Sequence, residues 1–160
     1  MPLWAEDFSV NGIYYNITDE TNKTVEVTYI GDYYYSYRNE YTGAEAIPSS
    51  VEYNSTTYSV TSIGDQAFRD CSGLTSISIG NSVTSIGTDA FYGCSGLTSI
   101  SIGNSVTSIG YDAFHGCSGL TEVNITDLSA WCKIDFDYAN PLYYAHHLKL
   151  NGTEVTNLVI

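Results

Sequence analysis

The chain has 160 residues, 43% of them hydrophobic, and carries five basic residues against eighteen acidic ones for a formal charge of −13 at pH 7. That length and apolar content allow one domain with a continuous core and argue against disorder. Lys23, Arg38, Arg69, Lys133 and Lys149 are too few to neutralise a phosphate backbone, which removes nucleic acid from the partners, and the negative balance opposes anionic membrane surfaces.

Residues 1–59 read as β-hairpins. The start, Met1 to Glu6, lacks a basic and apolar export signal, and no run of about twenty apolar residues occurs, so no membrane insertion is expected of this fragment. Two readings of location follow, a cytoplasmic protein or a mature piece whose signal lies elsewhere. Val10-Asn11-Gly12-Ile13 predicts a type I′ turn, followed by strand-like runs at Tyr14 to Ile17 and Thr24 to Tyr29. Five tyrosines crowd the segment Asp32 to Tyr41. Tyrosine joins a large contact area to a hydroxyl, so Tyr34 and Tyr35 are candidates for an interaction surface; the competing reading is that these rings pack the strands.

Residues 60–126 repeat. Val60-Thr61-Ser62-Ile63-Gly64 recurs at Val83 and at Val106, a period of 23, and the first two units differ at four of 23 positions. Such a period signals stacked copies of one supersecondary unit. Leu74 to Ile79 alternates apolar with polar residues as a half-buried strand does, and Leu97 to Ile102 and Leu120 to Ile125 repeat it. Gly80-Asn81 and Gly103-Asn104 supply turns, and the Val-Thr-Ser-Ile piece is a second short strand. Phe68, Phe91 and Phe114 each precede a cysteine by three residues, which predicts a short helical turn with both side chains on one face. Asp65, Asp89 and Asp112, just before the Ala-Phe pairs, are expected to cap that turn. Stacking such coils about 4.8 Å apart buries one shared interior, and the crossover rule makes the superhelix right-handed. The expected class is thus a β-rich α/β solenoid with 23-residue coils, with residues 1–59 as an N-terminal β-hairpin cap.

Residues 127–160 read as a degenerate fourth repeat. Leu148 to Gly152 resembles Ile77 to Asn81, while Trp131-Cys132 and the Pro141 region replace the regular turn by a longer loop. The apolar end Leu158-Val159-Ile160 looks truncated, which predicts a longer natural chain or self-association through an open C-terminal edge.

The units Ile-Gly-x-x-Ala-Phe-x-x-Cys-x-x-Leu and Leu-x-x-Ile-x-Ile resemble the BspA-like leucine-rich repeats of bacterial surface proteins, closely over residues 60–126 and less regularly from Ile47 upstream and through Ile160 downstream. The resemblance implies a leucine-rich repeat solenoid that is extracellular or at the cell surface. Adhesion to host matrix proteins or to other cells is the activity attributed to some members.

Catalytic chemistry has little footing. Cys71, Cys94 and Cys117 follow the repeat period rather than a metal-ligand spacing and read as small core residues, with Cys132 the fourth thiol. His146-His147 lacks the i, i+4 spacing or the converging carboxylate of a zinc site and reads as a surface loop. No nucleophile elbow, Walker loop or zinc-protease helix is present. No cofactor or metal is expected. Six residues should face outward from the strands in ladders: Ser76, Ser78, Ser99, Ser101, Glu122 and Asn124. The coils differ most in the columns Arg69/Tyr92/His115 and Asp65/Thr88/Tyr111, so Tyr92, Tyr111 and His115 join the candidate surface. The expectation is a non-catalytic module of a bacterial surface protein that binds a protein or glycan ligand in adhesion, host matrix included. The alternatives are a structural spacer presenting another domain and a carbohydrate-active enzyme.

Overall fold

A computed structural model of the chain describes residues 6–30, 40–138 and 140–156. Strands β1 (Phe8–Val10) and β2 (Ile13–Asp19) pair antiparallel across Asn11-Gly12, whose φ angles of 53° and 83° are those of the predicted tight turn. Strand β3 (Thr24–Thr28) continues antiparallel from β2. It then lies parallel to β6 (Thr56–Ile63), with Val25 beside Val60 and Val27 beside Ile63. Strand β5 (Ser50–Tyr53) folds onto the first half of β6. Phe8 stacks on Tyr53 at 4.1 Å and packs against Tyr15 and Tyr58, so these N-terminal aromatics make a core.

The repeats lay down two strand series. On one side β7 (Leu74–Ile79), β9 (Ser99–Ser101) and β11 (Glu122–Ile125) pair parallel, with Ile77, Ile100 and Val123 abreast. On the other, Ile63 of β6 sits beside Ile86 of β8 (Ser85–Ile86) and Ile109 of β10 (Ser108–Ile109). Both series outrun the exact repeats. Strand β4 (Gly43–Ile47) adds parallel to β7, and β13 (Leu148–Leu150) adds parallel to β11. Strand β12 (Asp135–Phe136) adds to β10 after the short helix α1 (Leu128–Trp131), whose first turn Asp127 caps through Oδ1 and the Ala130 N–H at 3.0 Å. Among the described residues the result is an eight-stranded and a six-stranded sheet that share one buried core.

Equivalent side chains superpose between the sheets. Phe91 and Phe114 stack with centroids 5.2 Å apart and planes within 6°, and all three repeat phenylalanines are buried. Tyr41 closes the column against Phe68 at 4.5 Å. Its hydroxyl donates to the Thr28 carbonyl at 2.6 Å and accepts the Tyr14 N–H at 3.1 Å, a pairing that makes its burial tolerable. The Cys94 thiol donates to the Phe68 carbonyl at 2.9 Å and the Cys117 thiol to the Phe91 carbonyl at 3.2 Å, so the cysteine column fills the core and satisfies a turn carbonyl in the preceding coil.

The third side of each coil differs from the expected helical turn. Gln66, Asp89 and Asp112 have φ of 61°, 54° and 51°, and Asp70, Gly93 and Gly116 have φ of 58°, 73° and 76°, which breaks any helical run. The Phe68 N–H donates instead to Ala90 O at 2.7 Å and the Phe91 N–H to Ala113 O at 2.8 Å. A neighbouring coil's carbonyls outcompete a helix too short to close i→i+4 bonds. The capping role falls with the helix. Asp65 accepts the Thr88 N–H of the next coil at 2.8 Å, and Asp89 pairs with the Arg69 guanidinium. The recurrent threonines serve the same stacking: Thr84, Thr98, Thr107 and Thr121 each donate Oγ1 to a carbonyl 23 residues back at 2.9–3.2 Å.

At the C-terminal end, Asn151 and Gly152, with φ of 50° and 81°, turn the chain back so that β14 (Thr153–Glu154) pairs antiparallel with β13. Strand β13 is therefore flanked by β11 and β14. The apolar end Leu158 to Ile160 lies outside the described residues, as do Tyr34 and Tyr35.

Candidate functional site

Period-two alternation on the six-stranded sheet buries Ile77, Ile100 and Val123 and turns the intervening residues outward. Ser76, Ser99 and Glu122 form one outward column and Ser78, Ser101 and Asn124 a second, each set by parallel register. Strand β4 extends the columns with Ala44 beside Ser76 and Ala46 beside Ser78, and β13 places Lys149 beside Asn124. The face is thus small through its first strands, alanine on β4 and serine on β7 and β9, and charged at its last. There Lys149 Nζ bonds Glu122 Oε2 while Asn124 Nδ2 donates to Glu122 Oε1 at 3.1 Å, and these bonds hold the Glu122 carboxyl below the usual glutamate range. Where the columns meet the turns, a groove of about 410 Å³ runs along Ser78, Ser101 and Asn124 to Asn81 and Asn151.

The variable column divides. Arg69 is largely withdrawn, ion-paired with Asp89 and lying 4.2 Å over the Tyr92 ring, and Tyr92 stacks on His115 at 5.0 Å. Tyr92 is therefore held between two neighbours, and His115 presents the exposed end of the column. Tyr111 is 52% exposed and meets the edge of Tyr138 with centroids 6.4 Å apart.

Tyr138 and Tyr143 were not singled out from sequence, yet they are 89% and 76% exposed. Together with Asp112, His115, Asn140 and Tyr144 they line a cleft of about 170 Å³. They lie in the non-repeating loop, where no periodicity marks them; the available signal was three tyrosines flanking Pro141.

His146 and His147 are exposed, and His147 Nδ1 meets Glu154 Oε1 at 2.7 Å. Cys71, Cys94 and Cys117 are buried free thiols, and burial raises Cys94 and pushes Cys117 up to about 12, whereas Cys132 is exposed. Among the described residues no three His, Cys, Asp or Glu side chains gather as a metal site, and no helix is long and apolar enough to cross a membrane.

Comparison with known proteins agrees with this geometry. The profile for BspA-type leucine-rich repeat regions, with six copies, matches residues 47–136. A leucine-rich repeat protein from Bacteroides ovatus is 35% identical with a TM-score of 0.63 over 81% of this chain and 34% of its own. One from Bacteroides capillosus is 27% identical with a TM-score of 0.65, covering 92% of this chain and 94% of its own. A leucine-rich cell surface protein from Faecalibacterium prausnitzii shares the fold at 23% identity and a TM-score of 0.59, over 96% of this chain and 44% of its own. The chain thus spans 34% and 44% of the Bacteroides ovatus and Faecalibacterium structures. Among curated proteins no significant match is found.

Proposed function

The chain belongs to the BspA-type leucine-rich repeat family, whose profile covers more than half of it, and from that premise we propose that it is a non-catalytic binding module of a bacterial surface protein, taking a protein or glycan ligand in adhesion. The observation that carries the reading is the pair of outward columns, Ser76/Ser99/Glu122 and Ser78/Ser101/Asn124, aligned by backbone register across adjacent strands. Small hydroxyl-bearing residues on a rigid sheet let a partner approach closely and still find hydrogen bonds, and the Glu122–Lys149 pair gives the surface a charged end. Repeat solenoids use such continuous faces for recognition.

The test is surface plasmon resonance of the chain over immobilised matrix proteins, neutral polysaccharides and intact bacterial cells, repeated with Ser78→Arg combined with Ser101→Arg. Binding that falls about tenfold in the double variant, with an unchanged circular dichroism spectrum, supports the reading. Absence of binding to every surface, or binding indifferent to the variant, counts against this face. Absence throughout favours a spacer instead, a role suited to coils bonded backbone to backbone along their sides.

A further inference from the structure

Resting on the binding-module reading and narrowing it, we infer that the cleft between the third coil and the loop carrying Tyr138 and Tyr143 binds a neutral sugar unit. Tyr111, Tyr138 and Tyr143 are the large apolar-bodied side chains left exposed among the described residues; Tyr138 and Tyr143 line this cleft, and Tyr111 meets Tyr138 beside it. Aromatic surface is ordinarily buried, and a contiguous exposed group of it marks a binding site. Tyr138 also holds φ at 54°, a conformation bulky residues avoid, and it presents its ring to solvent there.

The cleft is anchored. The Tyr144 hydroxyl accepts the Gly116 N–H of the third coil at 2.9 Å, and the Tyr144 ring meets Tyr143 edge-on at 5.0 Å. Asn140 Oδ1 accepts the Leu142 N–H at 2.9 Å, which leaves its amide N–H groups as donors. His115 is fixed from behind by Tyr92. A ligand therefore meets aromatic rings, an amide donor, an imidazole and the Asp112 carboxylate in one small space.

The chemistry selects a ligand with apolar and hydroxylated sides. The C–H face of a pyranose ring carries slight positive charge and lies favourably on the negative face of a tyrosine, while its vicinal hydroxyls donate to a carboxylate and accept from an amide. The volume of about 170 Å³ falls below the roughly 300–1,000 Å³ of drug-sized pockets, which suits one ring rather than a folded partner. Among the described residues no Lys or Arg lines the cleft, and the chain carries −13, so acidic sugars and phosphates are disfavoured. A quaternary ammonium would want an enclosing cage of ring faces, whereas Tyr111 and Tyr138 cross at 68° and Tyr138 stays open to solvent.

The experiment is NMR titration of the full chain with gluco-, galacto-, manno- and xylo-oligosaccharides, with sialyllactose and choline as charged probes. The expected result is saturable binding of at least one neutral oligosaccharide that shifts the amides of His115, Gly116 and Asn140 and is insensitive to salt. Tyr138→Ala and Tyr143→Ala each weaken it about tenfold, with the melting temperature unchanged because both rings are exposed. Ser78→Arg with Ser101→Arg leaves the His115, Gly116 and Asn140 shifts in place, since those amides report the cleft and not the sheet face. The inference is overturned if no neutral sugar binds at millimolar concentration, if only choline or sialyllactose binds, or if the tyrosine variants bind like the parent. Should the sheet face bind a protein while no sugar enters the cleft, the binding-module reading stands and this site falls; if nothing binds at either place, both fall.

Discussion

The rings of Phe68 and Phe91 stack with centroids 5.0 Å apart and planes within 10°, one coil directly above the next. Both are fully buried, and Cys94 links the two residues, its thiol donating to the Phe68 carbonyl at 2.9 Å and its N–H to the Phe91 carbonyl at 3.1 Å. Continued through Phe114, the column ties the turn side of the three repeat coils to the interior.

Phe91 has a stacked ring on either side, and truncation leaves a void that two rigid neighbours cannot fill. Phe91→Ala is expected to cost about 3–5 kcal/mol in denaturant unfolding, and Phe91→Leu clearly less. A loss below about 1 kcal/mol for the alanine variant would mean the column is dispensable.

Gly96 faces the Ser72 carbonyl so closely that an added Cβ would overlap the oxygen, and one coil later a Cβ on Gly119 would lie 2.5 Å from the Ser95 carbonyl oxygen. The glycine is fixed by coil spacing rather than by a turn. Gly96→Ala is expected to destabilise by about 1–3 kcal/mol, read as a lowered unfolding midpoint, while Gly12→Ala probes the separate cost of a positive φ in open space.

Much of this architecture was legible because it is periodic. Leu, Ile, Phe and Cys recur every 23 residues, and the columns they form are buried as that recurrence requires. Asn11-Gly12 announced its turn by chemistry alone. The third side of the coil is not legible because Phe and Cys spacing fits a helix and a folded ladder alike, and only the neighbouring coil's carbonyls decide between them. Strand β4 carries Ala44 and Ala46 where β7 has serines, so its place in the sheet left only a faint trace. Tyr138 and Tyr143 carry no periodic signal, and their exposure depends on how an irregular loop lies against the third coil.

Three of the four thiols are buried, two of them also bonded to carbonyls. Ellman's reagent is expected to modify one thiol, Cys132, in the folded chain and all four after denaturation. Rapid reaction of more than one native thiol would show that the coils open readily.

Burial raises the Glu40 carboxyl from 4.5 to about 7, against the lowering effect of the Ile30 N–H it accepts. A carboxyl raised by folding contributes stability that is complete below its unfolded value and lost as pH rises through the folded one. Between about pH 4.5 and 7 the protein should therefore gain stability on acidification, and relief of the −13 charge acts in the same direction. Glu40→Gln should remove about 1 kcal/mol of that dependence, a figure kept small because the carboxyl is part-exposed and screened. Urea midpoints across the range, with and without the substitution, check it.

The most direct test of in-register stacking is amide hydrogen exchange resolved by residue. The turn amides of Phe68, Asp70, Phe91 and Gly93 donate to carbonyls of the following coil, so they are expected to exchange as slowly as the strand amides of Ile77 and Ile100. Exchange of those four turn amides at the rate of free loops, beside protected strands, would contradict it.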